Sequence, residues 1–182
     1  EDKAHWLAWV SAAGFSATEG RDGNRIGITG HGGAFRRALR QLDVLGKKHI
    51  PAAYLRASRG DRLALLQGLM DTDGSCSADG HSQEFYSCNR RLAANVSELL
   101  ATLGVRHSLT SKLAILNGKE CGTVYTARFC VRREQLAAFR MGRKVSRMRG
   151  ADAGKAWRNN TVQIVGCEPA DSAPVRCITV DH

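Results

Sequence analysis

The sequence lacks several features that would place it in common classes of protein. It contains no apolar run long enough to span a membrane, and nothing near residue 1 resembles a secretory signal. Its six cysteines include no C-x-x-C pair, so a zinc site is not expected. A secreted disulfide scaffold is equally unexpected in a chain of 182 residues. We therefore expect reduced thiols in a cytoplasmic protein with no membrane partner.

Acidic residues are scarce relative to basic ones. The chain carries 17 Asp and Glu against 27 Lys and Arg, which gives a formal net charge of +10. An excess of this kind indicates a polyanionic partner. Nucleic acid is favoured over a membrane surface as that partner. The length is sufficient for a buried core and for one or two domains.

One stretch organises the rest of the chain, residues 66–74, which read LQGLMDTDG. They predict an apolar helix that begins at a capping box formed by Ser58 and Asp61. Small residues recur on one side of this helix at every fourth position, at Ala64, Gly68 and Thr72. Such a strip allows close approach of a second helix.

The end of this helix carries the candidate chemistry. Asp73 stands at the tip, where the helix dipole disfavours an anion, so a neighbouring cation is expected. Gly74 is expected to leave the helix in a left-handed conformation. The alternative from physics alone is an ordinary core helix with a polar cap.

The nine residues resemble the LAGLIDADG motif of homing endonucleases. The positions that agree are Leu66, Gly68, Leu69, Asp71, Asp73 and Gly74. Residues 48–51, 54–55 and 57–58 resemble the segment that precedes this motif in endonuclease domains of inteins. Residues 174–181 resemble the strand on which an intein chain returns to its splicing domain.

The resemblance implies an α+β fold, the LAGLIDADG homing-endonuclease fold. This fold has two αββαββα half-repeats related by a pseudo-twofold axis, and short β strands of a Hint-like domain would follow it here. Residues 1–58 are expected to be the remainder of the first half and 59–148 the second half. Residues 149–182 would form a linker and strands returning to the splicing domain.

Local patterns predict the following elements outside the motif helix. The predicted helices are 2–13, 34–45, 90–103 with Asn89 as its cap, and a short one at Glu134–Phe139. The predicted strands are 15–18, 25–29, 75–80, 83–88, 105–115, 123–131 and further ones from Thr161 onward. Asn117-Gly118 predicts a tight hairpin turn between the two long strands, whereas Asp22-Gly23 would join the first two.

A weak internal repeat indicates that the chain contains two similar modules. Trp9, Val10 and Gly14 align with Leu99, Leu100 and Gly104 at one common offset. Carrying that offset back from Asp73 places its counterpart before residue 1. We therefore expect a missing first LAGLIDADG helix, supplied in cis or on another chain.

The resemblance also implies which residues carry the chemistry. Asp73 and the adjoining Gly74 are the expected metal-binding positions, with Mg²⁺ as the cofactor that stabilises charge on the attacking and leaving oxygens. Lys144 and Lys48 match positions where related intein endonucleases keep a basic residue beside the scissile phosphate. Both could instead be solvated cations at helix ends. Asp71 is expected to make a structural polar contact.

Double-stranded DNA is the expected partner, read by outward-facing strand residues and basic side chains. The candidates are Arg106, Ser108, Thr110, Lys112, Lys119, Thr126, Arg128, Arg143 and Arg147. A polar sheet face is more often simply solvated, so the set carries more weight than any member.

The function predicted from sequence and resemblance is site-specific double-strand DNA cleavage by an intein homing endonuclease. In this fragment the cleavage activity could be lost. One alternative is a cleavage-inactive remnant that binds DNA. Another is an RNA-binding splicing cofactor of the maturase kind. Self-splicing by this chain is not expected, because no N-terminal nucleophile and no terminal His-Asn pair are in place.

Overall fold

The computed structural model describes residues 2–20, 26–150 and 164–174. Its helices are α1 (Asp2–Ala12), α2 (Ala34–Gln41), α3 (Ala52–Leu55), α4 (Arg59–Asp73), α5 (Arg90–Thr102) and α6 (Gly142–Val145), with a 3₁₀ turn at His31–Gly33. Its strands are β1 (Ser16–Glu19), β2 (Ile26–Thr29), β3 (Gly74–Cys76), β4 (Gln83–Ser87), β5 (His107–Leu116) and β6 (Lys119–Phe129). The mixed α+β fold expected from the sequence is therefore confirmed.

Two antiparallel sheets are present in the described part of the chain. β1 and β2 form a separate hairpin, and the remaining strands form a four-stranded sheet in the order β3-β4-β6-β5. Helices α4 and α5 contact this sheet. The core between them is almost entirely apolar and includes Leu66, Met70, Phe85, Val96, Leu99, Leu100, Ala127 and Phe129.

The motif helix α4 begins as the sequence predicts. The Ser58 hydroxyl accepts a hydrogen bond from the Asp61 amide at 3.2 Å and donates to the Asp61 carboxylate at 2.7 Å. This cap satisfies one of the amides that a helix leaves without an internal partner at its start. Leu66 and Met70 are fully buried, so the cap and the apolar face together fix where α4 lies on the sheet.

The predicted left-handed exit at Gly74 is wrong. Gly74 is extended, with φ −98° and ψ 159°, and it begins β3 directly. The glycine is required for a different reason, since a Cβ there would lie 2.6 Å from the Met70 carbonyl oxygen and 2.7 Å from the Met70 Cα. The strand thus leaves the helix by passing close against its last turn.

This contact makes Gly74→Ala destabilising. We expect the free energy of unfolding to fall by about 1–3 kcal/mol, because the new methyl would have to displace backbone atoms. Gly68→Ala is the matched control on the same helix, where no atom lies within 4 Å of the added Cβ. That change should raise stability by about 0.5–1 kcal/mol through helix propensity. Urea unfolding of both variants tests the pair, and equal effects would contradict the steric account.

The repeat appears as two identical helix endings. In α1 and its exit, the amides of Ala13, Gly14 and Phe15 donate to Trp9, Ser11 and Val10. In α5, the amides of Leu103, Gly104 and Val105 donate to Leu99, Ala101 and Leu100 in the same pattern, 90 positions later. Both glycines have positive φ, 78° and 75°, and each helix is followed by an antiparallel hairpin.

The long hairpin confirms its predicted turn. Asn117 and Gly118 have φ values of 50° and 77°, which is the conformation of a type I′ turn. Toward this tip the apolar side chains of β5 are no longer covered, and Leu113 and Ile115 are 48% and 65% exposed. The hairpin therefore extends beyond the core.

The short helix predicted at Glu134–Phe139 is wrong. Residues 133–135 form a turn, and a non-helical stretch follows until α6 begins at Gly142. The cause is a long-range contact, because the Asp71 carboxylate accepts hydrogen bonds from the amides of Arg140 and Met141 at 3.2 Å. We call residues 136–145 the crossing segment, since they pass across the end of α4.

Residues 164–174 contain no strand. The strands expected on either side, at 161–163 and 175–182, lie outside the described residues, as does the Asp22-Gly23 turn. The cysteines that the structure describes form no disulfide. Among the same residues, no helix is long and apolar enough to cross a membrane.

Candidate nuclease site at the tip of α4

The end of α4 is held by the crossing segment through two side chains of the motif. Gln67 donates to the Ala137 carbonyl at 2.7 Å. Asp71, only 3% exposed, receives the Arg140 and Met141 amides. The structural role expected for Asp71 is thus observed. These contacts leave the last turn of the helix little freedom to move.

Lys144 is the cation at this helix tip. Its ammonium donates to the carbonyl oxygens of Met70, Asp71 and Gly74 at 2.8, 2.8 and 2.7 Å. The residue is only 6% exposed, and the ammonium also lies 5.5 Å from the centre of the Phe139 ring. Carbonyls at the end of a helix carry partial negative charge, so a buried ammonium is well placed there. A role beside a scissile phosphate stays a prediction for Lys144.

Asp73 is exposed at the same tip, in contrast to its buried neighbour Asp71. The Thr72 hydroxyl approaches one of its carboxylate oxygens at 3.4 Å. The helix therefore presents one carboxylate to the outside and uses the other to hold the protein together. Lys144 offsets the unfavourable field that the helix end exerts on Asp73.

Lys48 is placed differently from Lys144. It is exposed, and its backbone carbonyl accepts a hydrogen bond from the Asn89 amide group at the start of α5. The neighbouring Ile50 amide donates to Asn95 of α5. The structure thus attaches the end of the first module to α5, and the catalytic role of Lys48 stays a prediction.

The predicted DNA-reading residues on the sheet share one face. Strand register places Ser108 opposite Arg128 and Thr110 opposite Thr126, with Lys112 two residues further along β5. Arg106 precedes β5, and Lys119 opens β6 beside the hairpin turn. We call this surface the polar face. Asp73 precedes β3, whose Ser75 lies on this face, so the candidate acid stands at its edge.

Two residues of the polar face were missed in the sequence analysis. Glu84 of β4 lies opposite both Ser75 and Arg128, and Tyr86 lies opposite Thr126. Their alternation with the buried Gln83 and Phe85 is a period-two signal that could have identified them. Glu84 matters because it is a carboxylate in the middle of a basic surface.

Arg143 and Arg147 flank Lys144 but are exposed. The chain after α6 packs on the turn between β3 and β4, where a Cβ on Gly80 would lie 2.1 Å from the Arg147 carbonyl oxygen. Arg149 donates to the Asp79 carbonyl at 2.9 Å. This packing fixes the position of a basic stretch beside the sheet.

The small-residue strip on α4 is open. Ala64 and Thr72 are exposed, and a Cβ on Gly68 would meet no atom within 4 Å. The Thr72 hydroxyl donates to the Gly68 and Leu69 carbonyls, so its polar group is satisfied within the helix. A partner helix for this strip stays a prediction.

Comparison with known proteins agrees with this architecture. Residues 61–141 match the family model described as LAGLIDADG-like domain. Residues 61–141, which run from α4 into the crossing segment, therefore form a LAGLIDADG-like domain.

A relative among characterised proteins is replicative DNA helicase DnaB of Mycobacterium intracellulare. It is 37% identical over 150 residues, which cover 82% of this chain and 25% of that protein. The chain thus spans about a quarter of the length of the relative it matches.

Proposed function

We propose that this chain is the endonuclease part of an intein and cleaves DNA at a specific site with the help of Mg²⁺. The observation that carries the proposal is the tip of α4, where Asp73 is exposed at the edge of the polar face. The helix end beneath it is fixed by Asp71 and Lys144. A carboxylate held rigidly beside a basic surface suits hydrolysis of a phosphodiester.

The residues at the tip fit one Mg²⁺ ion. Mg²⁺ in nucleic-acid enzymes is usually bound by one or two carboxylates together with substrate phosphates. Asp73 would supply the carboxylate, and the Gly74 carbonyl, which also accepts a hydrogen bond from Lys144, would supply a second oxygen. The described residues contain no cluster of three or more acidic, His or Cys side chains, so this donor set depends on phosphate oxygens. When bound, the ion would stabilise charge on the attacking and leaving oxygens.

The pairing of two modules supports double-strand cleavage. Each half of a pseudo-twofold nuclease serves one strand, so a second acid-tipped helix is needed opposite α4. The open strip of Ala64, Gly68 and Thr72 is where that helix would pack. We infer that it is supplied in cis or on another chain.

The match to a helicase suggests the host. A similarity that covers most of this chain but only a quarter of a protein named for another activity is what an insertion in that protein would produce. We infer that the chain is an internal segment of an intein in a DnaB-type helicase. An intein is made inside the host cell, so its location would be cytoplasmic.

The test is cleavage of the uninterrupted host gene. The protein expressed from the complete gene would be incubated with a duplex that joins the two host sequences flanking the insertion, with Mg²⁺ or with EDTA. We expect cutting only in Mg²⁺, and no cutting of a control duplex that still carries the insertion. Tight binding without cutting would favour the DNA-binding remnant instead. Preference for structured RNA would favour the splicing cofactor, and either result would overturn the proposal.

A further inference from the structure

The polar face contains one carboxylate at its centre, where a DNA-binding surface would be expected to avoid negative charge. Glu84 lies in a row that crosses all four strands, from Ser75 through Glu84 and Arg128 to Ser108. Its side chain is 15% exposed, whereas that of Arg128 is 61% exposed. The carboxylate is thus more buried than the guanidinium that it contacts.

Glu84 binds one edge of the guanidinium. Its Oε1 accepts from both Nε and Nη2 of Arg128, while its Oε2 accepts from the Tyr86 hydroxyl. A guanidinium carries five N–H donors, and this side-on contact uses only two of them. Both Nη1 donors and the second Nη2 donor make no hydrogen bond to the residues that the structure describes. They form the end-on fork that matches the O6 and N7 atoms of guanine in the major groove.

The charge of Glu84 is maintained at neutral pH. Burial alone would raise its pKa, but hydrogen bonds from Tyr86 and Arg128 outweigh burial, and the pKa is lower than usual. The ionised carboxylate therefore holds Arg128 at neutral pH.

This arrangement is poorly suited to phosphate binding and well suited to orientation. A carboxylate repels phosphate, and a partly exposed ion pair adds little stability. Its effect is instead to restrict a long, flexible arginine to one direction before DNA arrives, which lowers the entropy lost on binding. Glu84 itself is not expected to reach a base, since its side chain is only 15% exposed.

We propose that Glu84, with Tyr86, is a positioning residue that aims Arg128 at one guanine of the DNA target and so determines specificity at that base pair. This inference rests on the proposed DNA-binding function. It adds a prediction of which base Arg128 recognises and of which residues, Glu84 and Tyr86, orient it.

The experiment is selection from a library of duplexes with randomised sequence, followed by affinity measurements on single-base variants of the selected site. The wild-type protein should select guanine at one position that Arg128→Gln no longer prefers, because glutamine pairs better with adenine. Glu84→Gln, which keeps the shape, should reduce the preference for that guanine by about tenfold or more. Its affinity for unrelated DNA should rise, since a negative charge is lost.

Two further variants make the result specific. Tyr86→Phe removes only the hydroxyl donor and should weaken the same preference to a smaller degree. Lys112→Gln, on the neighbouring strand, should weaken binding to all sequences alike and reduce the salt dependence by about one unit of slope. Melting temperatures would establish that each variant is folded.

The outcomes separate this inference from the proposed function. A guanine preference that survives Glu84→Gln and Tyr86→Phe unchanged would overturn the positioning role and leave the endonuclease proposal intact. Equal loss of affinity for every sequence in Glu84→Gln would overturn it as well, since the effect would then be structural. Failure of the wild-type protein to bind duplex DNA would contradict both.

Discussion

Asp73→Asn is expected to lower the rate of Mg²⁺-dependent cleavage by at least about 10²-fold while leaving the protein folded. The amide keeps a similar shape but loses the negative charge that a hard cation requires. Because Asp73 is exposed, the change should not disturb packing. It removes a negative charge from the end of a helix, so stability should stay the same or rise by about 0.3–1 kcal/mol.

The matched control lies at the other end of the same helix. Asp61 is exposed in the first turn of α4, where a negative charge is favourable. Asp61→Asn should therefore lower stability by a few tenths of a kcal/mol and leave cleavage unchanged. Cleavage rates and urea unfolding of both variants would be measured together. If Asp73→Asn cut DNA as fast as wild type, the assignment of the catalytic acid would be wrong.

The parts of the fold that could be predicted from sequence are those set by nearby residues. The cap at Ser58, the cap at Asn89 and the Asn117-Gly118 turn each depend on contacts within three residues. All three were predicted and are confirmed. The endings of α1 and α5 belong to the same category, because their glycines bind carbonyls of the preceding turn.

The errors arise where distant residues decide the local conformation. Residues 134–139 have a plausible helical pattern. However, the Asp71 carboxylate accepts a hydrogen bond from an amide that follows this stretch. Gln67 donates to the Ala137 carbonyl within it. Gly74 is extended because it begins β3, in which it pairs with Phe85 of β4. Neither contact is visible in a local window of sequence.

In the candidate site, too, features set by nearby residues could be predicted and features set by distant residues could not. Asp73 follows from the motif, whereas the burial of Lys144 and its three carbonyl partners do not. A basic residue in a short helical stretch has the same appearance in sequence whether it faces solvent or caps another helix. The pairing of Glu84 with Arg128 was missed because it depends on strand register between residues 44 positions apart.

Lys144→Met is expected to lower the stability of the fold strongly. Methionine fills a similar volume but cannot donate a hydrogen bond, so the Met70, Asp71 and Gly74 carbonyls would lose a charged donor at 2.7–2.8 Å. Hydrogen bonds to charged groups contribute about 1.5–3 kcal/mol each, and they are not additive when they share one donor. We therefore expect the free energy of unfolding to fall by about 3 kcal/mol or more.

Arg143→Met is the control, because it makes a comparable chemical change at the adjacent but exposed position. It should alter stability by no more than about 0.5 kcal/mol, as surface substitutions usually do. The midpoint and slope of urea unfolding would be compared for both variants, with cleavage measured under conditions where each is folded. Suppose Lys144→Met unfolds like wild type and loses only cleavage. The ammonium would then act at the phosphate and not as the cap of α4, and the crossing segment would be held by Asp71 and Gln67 alone.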